Sequence, residues 1–439
     1  MKLRASILFF ADVETNAKKL FKIESNNNIT TQLSKCEIGP VSNIDKFCPW
    51  IVFIARCNVL PGTNAVSIRK PPSTSSISVQ FEIPDRKPRG IVACYAPMFF
   101  EERWHVITVA HELNAVWGVD LQVHYVQSAA GDLLRLLEPL IKKGLLEIRG
   151  IDITDFGERV KQKLGYDPVE NSEFRQQIMA HQDCFFRYRE SAEFIVIGDV
   201  DDVFVPTHGQ SLMEEFTYWK KLHPTASGFI YARTNGHAIV SDRIHTFDYK
   251  STIESIRQVN NSNEIAPKTV YNPKYAETPW IHWPGITKTP PIRIPHGEGL
   301  CLHVHYFYGA KHEQIPQGKN LSNFADLYLI IRNPVLNYTL AAATMKSLPT
   351  PPFPYASAIY KCYTGFSADK KLRKEGSSGK YCPTPTICSM PKRNISCTVA
   401  VRSYEMKCLN RSNLCVFVEK DKLKLVERKT GGCTFGKNG

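Results

Sequence analysis

Glu193-Phe-Ile-Val-Ile-Gly-Asp-Val-Asp-Asp-Val-Phe-Val-Pro206 is an apolar run that ends in three carboxylates. Phe194 to Ile197 are β-branched or aromatic and few enough for a central strand covered on both faces. Asp199, Asp201 and Asp202 then sit at its carboxyl end, where open α/β sheets bind ligands. In an extended chain, Asp199 and Asp201, two apart, point to the same side. Hard cations such as Mg²⁺ and Mn²⁺ take oxygen ligands, and Mg²⁺ is commonly held by one or two carboxylates plus substrate phosphates. The run therefore points to an enzyme that handles nucleotide diphosphates. Taken alone it is equally open to a solvated turn in which one Asp caps the next helix.

Upstream, Ile91-Val-Ala-Cys-Tyr-Ala96 reads as a strand stopped by Pro97, Glu101 to Trp117 as a helix, and Leu121-Gln-Val-His-Tyr-Val126 as the next strand. Leu133, Leu136, Leu137, Leu140 and Ile141 form the stripe of an amphipathic helix, which Pro139 is placed to kink. Leu145-Leu-Glu-Ile148 is a third strand, and Phe174, Ile178, His181 and Phe185 mark one face of a helix from Ser172 to Glu190. That βαβαβ order predicts an α/β domain with a parallel sheet and helices on both faces. Downstream come a helix near Gln210 to Lys221 and strands near Gly228 to Ala232, Lys268 to Tyr271 and Leu302 to Phe307. Residues 1–88 read as a stem or accessory region, 89–350 as the α/β domain, and 351–439 as a cysteine-rich module expected to be β-rich.

A chain of 439 residues exceeds one ordinary core, and 43% hydrophobic with 22% charged residues is the composition of a folded, soluble protein. The net charge of +13 is partly local, in Lys370-Lys-Leu-Arg-Lys374 and Lys422-Leu-Lys-Leu-Val-Glu-Arg-Lys429. With no interleaved aromatics and no zinc-finger spacing, these read as solvated faces, and no nucleic-acid partner is expected. Thirteen cysteines without any Cys-x-x-Cys favour disulfides and an oxidising compartment, with at least one thiol left over. Asn28, Asn260, Asn320, Asn337, Asn394 and Asn410 head Asn-x-Ser/Thr acceptors compatible with glycosylation there. Ile7-Leu-Phe-Phe10 is too short to cross a membrane, and nothing else in the chain approaches a span.

In Leu302-His-Val-His-Tyr306 the alternation of a strand puts His303 and His305 on one face, where either can complete a metal shell begun by the aspartates. His181 falls on the apolar face of its helix and reads as a hydrogen-bonded core residue. Asp183 and Arg187, on the same helix, either reach a nucleotide or pair at the surface. There is no Gly-x-Gly-x-x-Gly after the first strand, no Gly-x-Ser-x-Gly elbow and no Walker loop, which removes the commonest dehydrogenase, hydrolase and NTPase readings.

The ordered set Cys94-Tyr-Ala-Pro-Met98, Trp104, Glu112, Gly118, His181-Gln-Asp-Cys184 and Asp199 to Pro206 resembles glycosyltransferase family 92 over residues 89–310. The resemblance implies a GT-A (Rossmann-like) nucleotide-sugar domain and an inverting, metal-dependent enzyme. That enzyme would move a hexose, galactose in characterised members, from a UDP-sugar to an N-glycan or other glycoprotein glycan. It also implies Mn²⁺ or Mg²⁺ as cofactor and the Golgi lumen as location, with a membrane anchor that this chain does not display. Carried over to this sequence, Asp199 would contact the ribose or the metal, Asp201 would ligate the metal, and His305 would be a further ligand. Ala96, Pro97 and Tyr125 would wall the uracil, with Asp183 nearby, and Asp242 or Glu277 would be the base. The family usually has Glu where this chain has Asp202, which leaves open a luminal or secreted glycan-binding protein whose catalytic centre has decayed. A nucleotidyltransferase, which uses the same paired aspartates, is ranked last.

Overall fold

The computed structural model describes residues 4–12, 20–42, 48, 50–152, 158, 161–162, 165–167, 177–241, 243, 246–259, 265–308, 319–320, 347–374, 388–409 and 414–433. The accessory region is a folded, antiparallel six-stranded sheet. Its strands are β1 (Arg4–Asp12), β2 (Lys22–Asn26), β3 (Thr31–Pro40), β4 (Trp50–Asn58), β5 (Ala65–Arg69) and β6 (Ser76–Val79), in the order β1-β4-β3-β2-β5-β6. Period-two burial in β2 places Ile23 and Ser25 inside. Cys36 and Cys57, opposite each other on β3 and β4, are bridged.

The α/β part contains β7 (Arg89–Met98), α1 (Trp104–Val116), β8 (Leu121–Val126), β9 (Ser128–Ala130), α2 (Leu133–Leu136), α3 (Glu138–Lys142) and β10 (Leu146–Gly150). It continues with α4 (Gln177–Tyr188), β11 (Ala192–Gly198), β12 (Asp202–Val205), α5 (Leu212–Leu222), β13 (Gly228–Val240), α6 (Tyr249–Glu254) and β14 (Arg257–Gln258). Last come β15 (Ile265–Tyr271), β16 (Ile292–Arg293), β17 (Leu300–Tyr308) and β18 (Lys319–Asn320). The sheet order is β10-β8-β7-β11-β15-β13-β14-β18, with β17 joining β13 to β12. As expected, β10, β8, β7 and β11 are parallel. The rest of the sheet is mixed. β13 crosses over through α5 and skips one place, and β15 returns antiparallel to fill the gap between it and β11.

Alternate residues of β7 feed two cores. Ile91, Ala93 and Tyr95 face α1, while Val92 and Cys94 face α4, to which Cys94 is bridged through Cys184. Pro139 splits its leucine-rich helix into α2 and α3 as the sequence anticipates. α1 ends at Gly118, whose φ of +84° suits the left-handed residue that closes a helix. Ser211 and Glu214 form a reciprocal capping box at the start of α5.

Between α1 and the sheet lies a polar network with every member buried. Gln122 Oε1 accepts from the Tyr95 hydroxyl at 2.9 Å and faces His111 Nδ1 at 2.8 Å. Gln122 Nε2 donates to the His111 carbonyl at 2.8 Å, Asn114 donates to Tyr95 at 2.8 Å, and the His111 and His124 rings meet at 3.2 Å.

The cysteine-rich part adds the helix α7 (Pro354–Lys374) to the expected strands β19 (Cys397–Val401), β20 (Tyr404–Cys408), β21 (Cys415–Glu419) and β22 (Lys424–Arg428). β19 pairs with β9 of the α/β part and with β22, in the order β22-β19-β9. The buried Glu102 carboxylate accepts from the backbone N–H groups of Tyr355, at 2.7 Å, and Ala356, at 3.2 Å, and pairs with Arg393. It thus sits at the positive end of α7. Cys362–Cys388, Cys397–Cys433 and Cys408–Cys415 are bridged, in line with the reading of the cysteines as disulfides. Among the described residues no helix is long and apolar enough to cross a membrane.

Candidate active site at the carboxyl end of the central sheet

β7 and β11 lie side by side, and strand order reverses between them, because β8 and β10 continue on the far side of β7. A crevice at such a reversal is where open α/β sheets take ligands. Here β11 ends at Gly198 and the chain turns through Asp199-Val200-Asp201-Asp202 into β12. The turn is closed by Asp202 N–H on the Asp199 carbonyl, 3.0 Å, and by Asp199 N–H on Asp202 Oδ2, 3.1 Å. Val200 is buried in the core below, which fixes the turn's orientation. β17 runs alongside with Asp202 opposite His303, and Val304 N–H donates to the Asp201 carbonyl at 2.9 Å.

The three carboxylates differ sharply in how they are held. Lys268, fully buried on β15, puts one ammonium between Asp199 Oδ2, 2.8 Å, and Asp202 Oδ2, 3.0 Å. Asp199 Oδ1 accepts from Gln177 at 3.1 Å. Asp202 Oδ1 accepts from Arg233, which follows an irregularity in β13, at 3.1 Å and from His303 at 3.2 Å. Asp201 Oδ1 is buried, has no hydrogen-bond partner among the described residues, and has His303 Nδ1 at 3.5 Å.

Electrostatics follow from that wiring. Burial would push the Asp202 carboxyl up, but Lys268, His303 and Arg233 outweigh it and hold it well below the usual range. Burial likewise raises Asp199, and Lys268 reverses this. For Asp201, burial together with Asp202 and Asp199 raises the carboxyl against the pull of His303. His303 is raised, because its hydrogen bond to Asp202 and the nearby Asp201 overcome burial. Arg103 lies near Asp201 and is pinned by both oxygens of Glu101, at 2.9 and 2.7 Å.

Asp201, Asp202 and His303 bring ligand atoms within 4.8 Å of one another, a cluster able to hold a metal ion. An orphaned buried carboxylate oxygen beside a histidine is the donor set a hard divalent cation takes. The histidine that meets the carboxylates is His303, not His305. Alternation puts both on one face, but register sets His303 opposite Asp202, with the His305 ring 4.9 Å from that of His303. Asp199 is engaged by Lys268 and Gln177, so the carboxylate left for a cation is Asp201.

Ala96 and the buried Pro97 lie just before Met98, the last residue of β7, at the carboxyl end of the sheet. Tyr125 is buried near the end of β8, its hydroxyl 2.5 Å from Asp183 Oδ2, and Asp183 also pairs with Arg149 and Arg187. Glu277 is not brought to the turn. It pairs with Arg56 of the accessory sheet at 3.1 Å, beside Arg189, which precedes the opposite end of β11. Asp242 lies outside the described residues. His181 is buried as expected, but neither ring nitrogen has a hydrogen-bond partner among the described residues, and burial holds its pKa at about 3. Lys268 and Arg233 escape sequence reasoning, since nothing local marks a strand lysine as facing a turn 69 residues away.

The family model for glycosyltransferase family 92 matches residues 89–336. A glycosyltransferase family 92 protein of Caenorhabditis elegans is 24% identical over 416 residues, 91% of this chain and 81% of its own length. A second from the same organism is 29% identical over 275 residues, 61% of this chain and 52% of its own length. Among solved structures, residues 1–349 of S. aureus TarS superpose with a TM-score of 0.26 at 9% identity, covering 66% of this chain and 77% of that one. That overlap is too loose to carry a shared site.

Proposed function

The chain belongs to glycosyltransferase family 92 and is a glycosyl-transferring enzyme, and from that premise we propose that it moves a hexose, galactose, from a UDP-sugar to a glycan on a glycoprotein, with inversion. The domain is read as GT-A in type and the place of action as the Golgi lumen. The observation that carries the reading is the acidic turn, where two carboxylates are saturated by Lys268, Arg233, Gln177 and His303 and the third, Asp201, is not. Asp201, with His303 and Asp202 around it, is the place for Mn²⁺ or Mg²⁺. When bound, such an ion supplies Lewis-acid charge for a departing diphosphate.

The chain's own residues do the rest. Lys268 and Arg233 keep Asp199 and Asp202 ionised and fixed, so the turn holds its shape whatever Asp201 binds. Asp199 faces the donor ribose, and Ala96, Pro97 and Tyr125 flank the base. Inversion takes a single displacement, with a carboxylate removing the proton of the attacking sugar hydroxyl. Of the two carboxylates considered for that role, Glu277 is held by Arg56 away from the acidic turn, which leaves Asp242 as the candidate.

The test is UDP release by purified protein over a panel of UDP-sugars with a glycan acceptor, with Mn²⁺ or with EDTA. Turnover with one donor, abolished by EDTA and by Asp201→Asn, is expected. Turnover that survives both removes Asp201 and the cation from the reading. Silence across the panel from a folded protein removes the UDP-sugar donor.

A further inference from the structure

After β15 the chain folds back through Thr278-Pro-Trp-Ile-His-Trp-Pro-Gly285, and this loop is tied down at nearly every residue. Gln182 of α4 donates to the Pro279 carbonyl at 2.7 Å, and the Tyr271 hydroxyl serves Trp280 N–H, 3.0 Å, and the Trp283 carbonyl, 3.1 Å. Thr278 Oγ1 bonds the Val41 carbonyl at 2.6 Å and receives Ile286 N–H at 2.7 Å. A side chain at Gly285 would meet Thr278 Oγ1 at 2.6 Å and the Val41 carbonyl at 2.7 Å, so the loop closes without slack.

His282 brackets Lys268. Its carbonyl accepts from Thr269 Oγ1 at 2.9 Å, and its Nδ1 donates to the Pro267 carbonyl at 3.2 Å. The loop is thus bonded to both neighbours of the lysine that holds Asp199 and Asp202. Trp280 and Ile281 are buried, whereas Trp283 is 39% exposed, the most exposed of the six tryptophans. Its ring meets His282 edge-on at 5.8 Å.

Single exposed apolar side chains are ordinary on a protein surface, and Ile29 on a hairpin tip and Leu222 at a helix end are of that kind. Trp283 differs because its backbone is immobilised and the immobilised loop is fastened to the acidic turn's own support. A rigid indole presents a large face at little entropic cost on binding. One face of a pyranose ring is a patch of polarised C–H groups, which suits the electron-rich face of an aromatic ring.

We propose that Trp283 is a stacking platform for a pyranose ring of the transfer reaction. The inference rests on the glycosyl-transfer reading and adds the residue that grips a sugar. The same chemistry serves the donor hexose or the terminal sugar of the acceptor, and the experiment separates them.

The KM for the UDP-sugar and the KM for an N-glycan oligosaccharide are measured for wild type, Trp283→Ala and Trp283→Phe, with thermal melts as a check on folding. Binding of UDP-galactose and of an N-glycan array is measured alongside. Loss of a tryptophan anchor is expected to raise one of the two KM values roughly 30-fold in the alanine variant, with kcat little changed and Phe retaining most of the affinity. A shift in the donor KM assigns the platform to the donor, and a shift in the acceptor KM assigns it to the glycan. Unchanged KM and binding in Trp283→Ala overturn the proposal while leaving the transferase reading intact. If wild type turns over no UDP-sugar, that reading fails separately, and equal binding of both UDP-galactose and glycan by wild type and alanine variant, or none by either, still overturns the platform.

Discussion

The acidic turn after β11 and the Tyr95–His111–Gln122–His124–Asn114 network under α1 are both buried polar clusters on neighbouring strands, and they are wired in opposite ways. The network is neutral and its bonds run back into itself, so its members hold the helix on the sheet. The turn concentrates three carboxylates against a lysine, an arginine and a histidine and still leaves Asp201 Oδ1 without a hydrogen-bond partner among the described residues. Buried polar groups are almost always satisfied. The first cluster thus holds a helix on the sheet, and the second keeps a carboxylate oxygen beside a histidine at the carboxyl end of β11.

Breaking the turn's support gives the largest expected effect. Lys268→Met leaves the buried Asp202 carboxylate facing the half-buried Asp199 without the ammonium between them, and removing one partner of a buried pair costs about 3–5 kcal/mol, to be read from urea denaturation. Asp201→Asn sharpens the contrast, because it is expected to cut transfer by about 10³-fold through loss of several kcal/mol of charge stabilisation. Its melting temperature should hold or rise, since burial, Asp202 and Asp199 already disfavour the ionised form. A fall in both activity and stability would make Asp201 one more structural acid. His111→Leu tests the other cluster. It leaves Gln122 and His124 short of a partner at a cost of roughly 1–3 kcal/mol, and the KM for the UDP-sugar should not move.

The smallest effect is one of pH. Burial lowers the pKa of His111 to about 4, and burial with His111 lowers that of His124. Between pH 6.5 and 4 the unfolded chain binds protons that the folded chain refuses, so stability is full above 6.5 and falls as pH drops toward 4. Denaturation midpoints across that window should show the slope in wild type and a shallower one in His111→Leu.

The sequence made the parallel strands legible because β7, β8 and β11 are apolar runs with helical periods between them, and the carboxylates stand where one run stops. His303 and His305 were readable as sharing a face, but choosing between them needs the pairing of Asp202 with His303, which is set by a strand a hundred residues away. Lys268 was visible only as part of a strand, since a charge buried by partners from other strands has no local mark. The accessory sheet was missed for a different reason. In β2 the alternation places Ser25 inside, so the pattern of hydrophobic letters is weaker than the pattern of burial.

Glu102 has a consequence for the order in which the molecule is made. Its carboxylate lies on the loop between β7 and α1, but the guanidinium that pairs with it belongs to a residue synthesised 291 positions later. At ordinary rates of elongation that is an interval of roughly 15 to 60 s. Through that time β9 also lacks the strand that will pair with it. The α/β part therefore emerges from the ribosome with a carboxylate and a strand edge that only the last part of the chain can cover. A fragment cut to the family-matched residues would keep this seam open permanently.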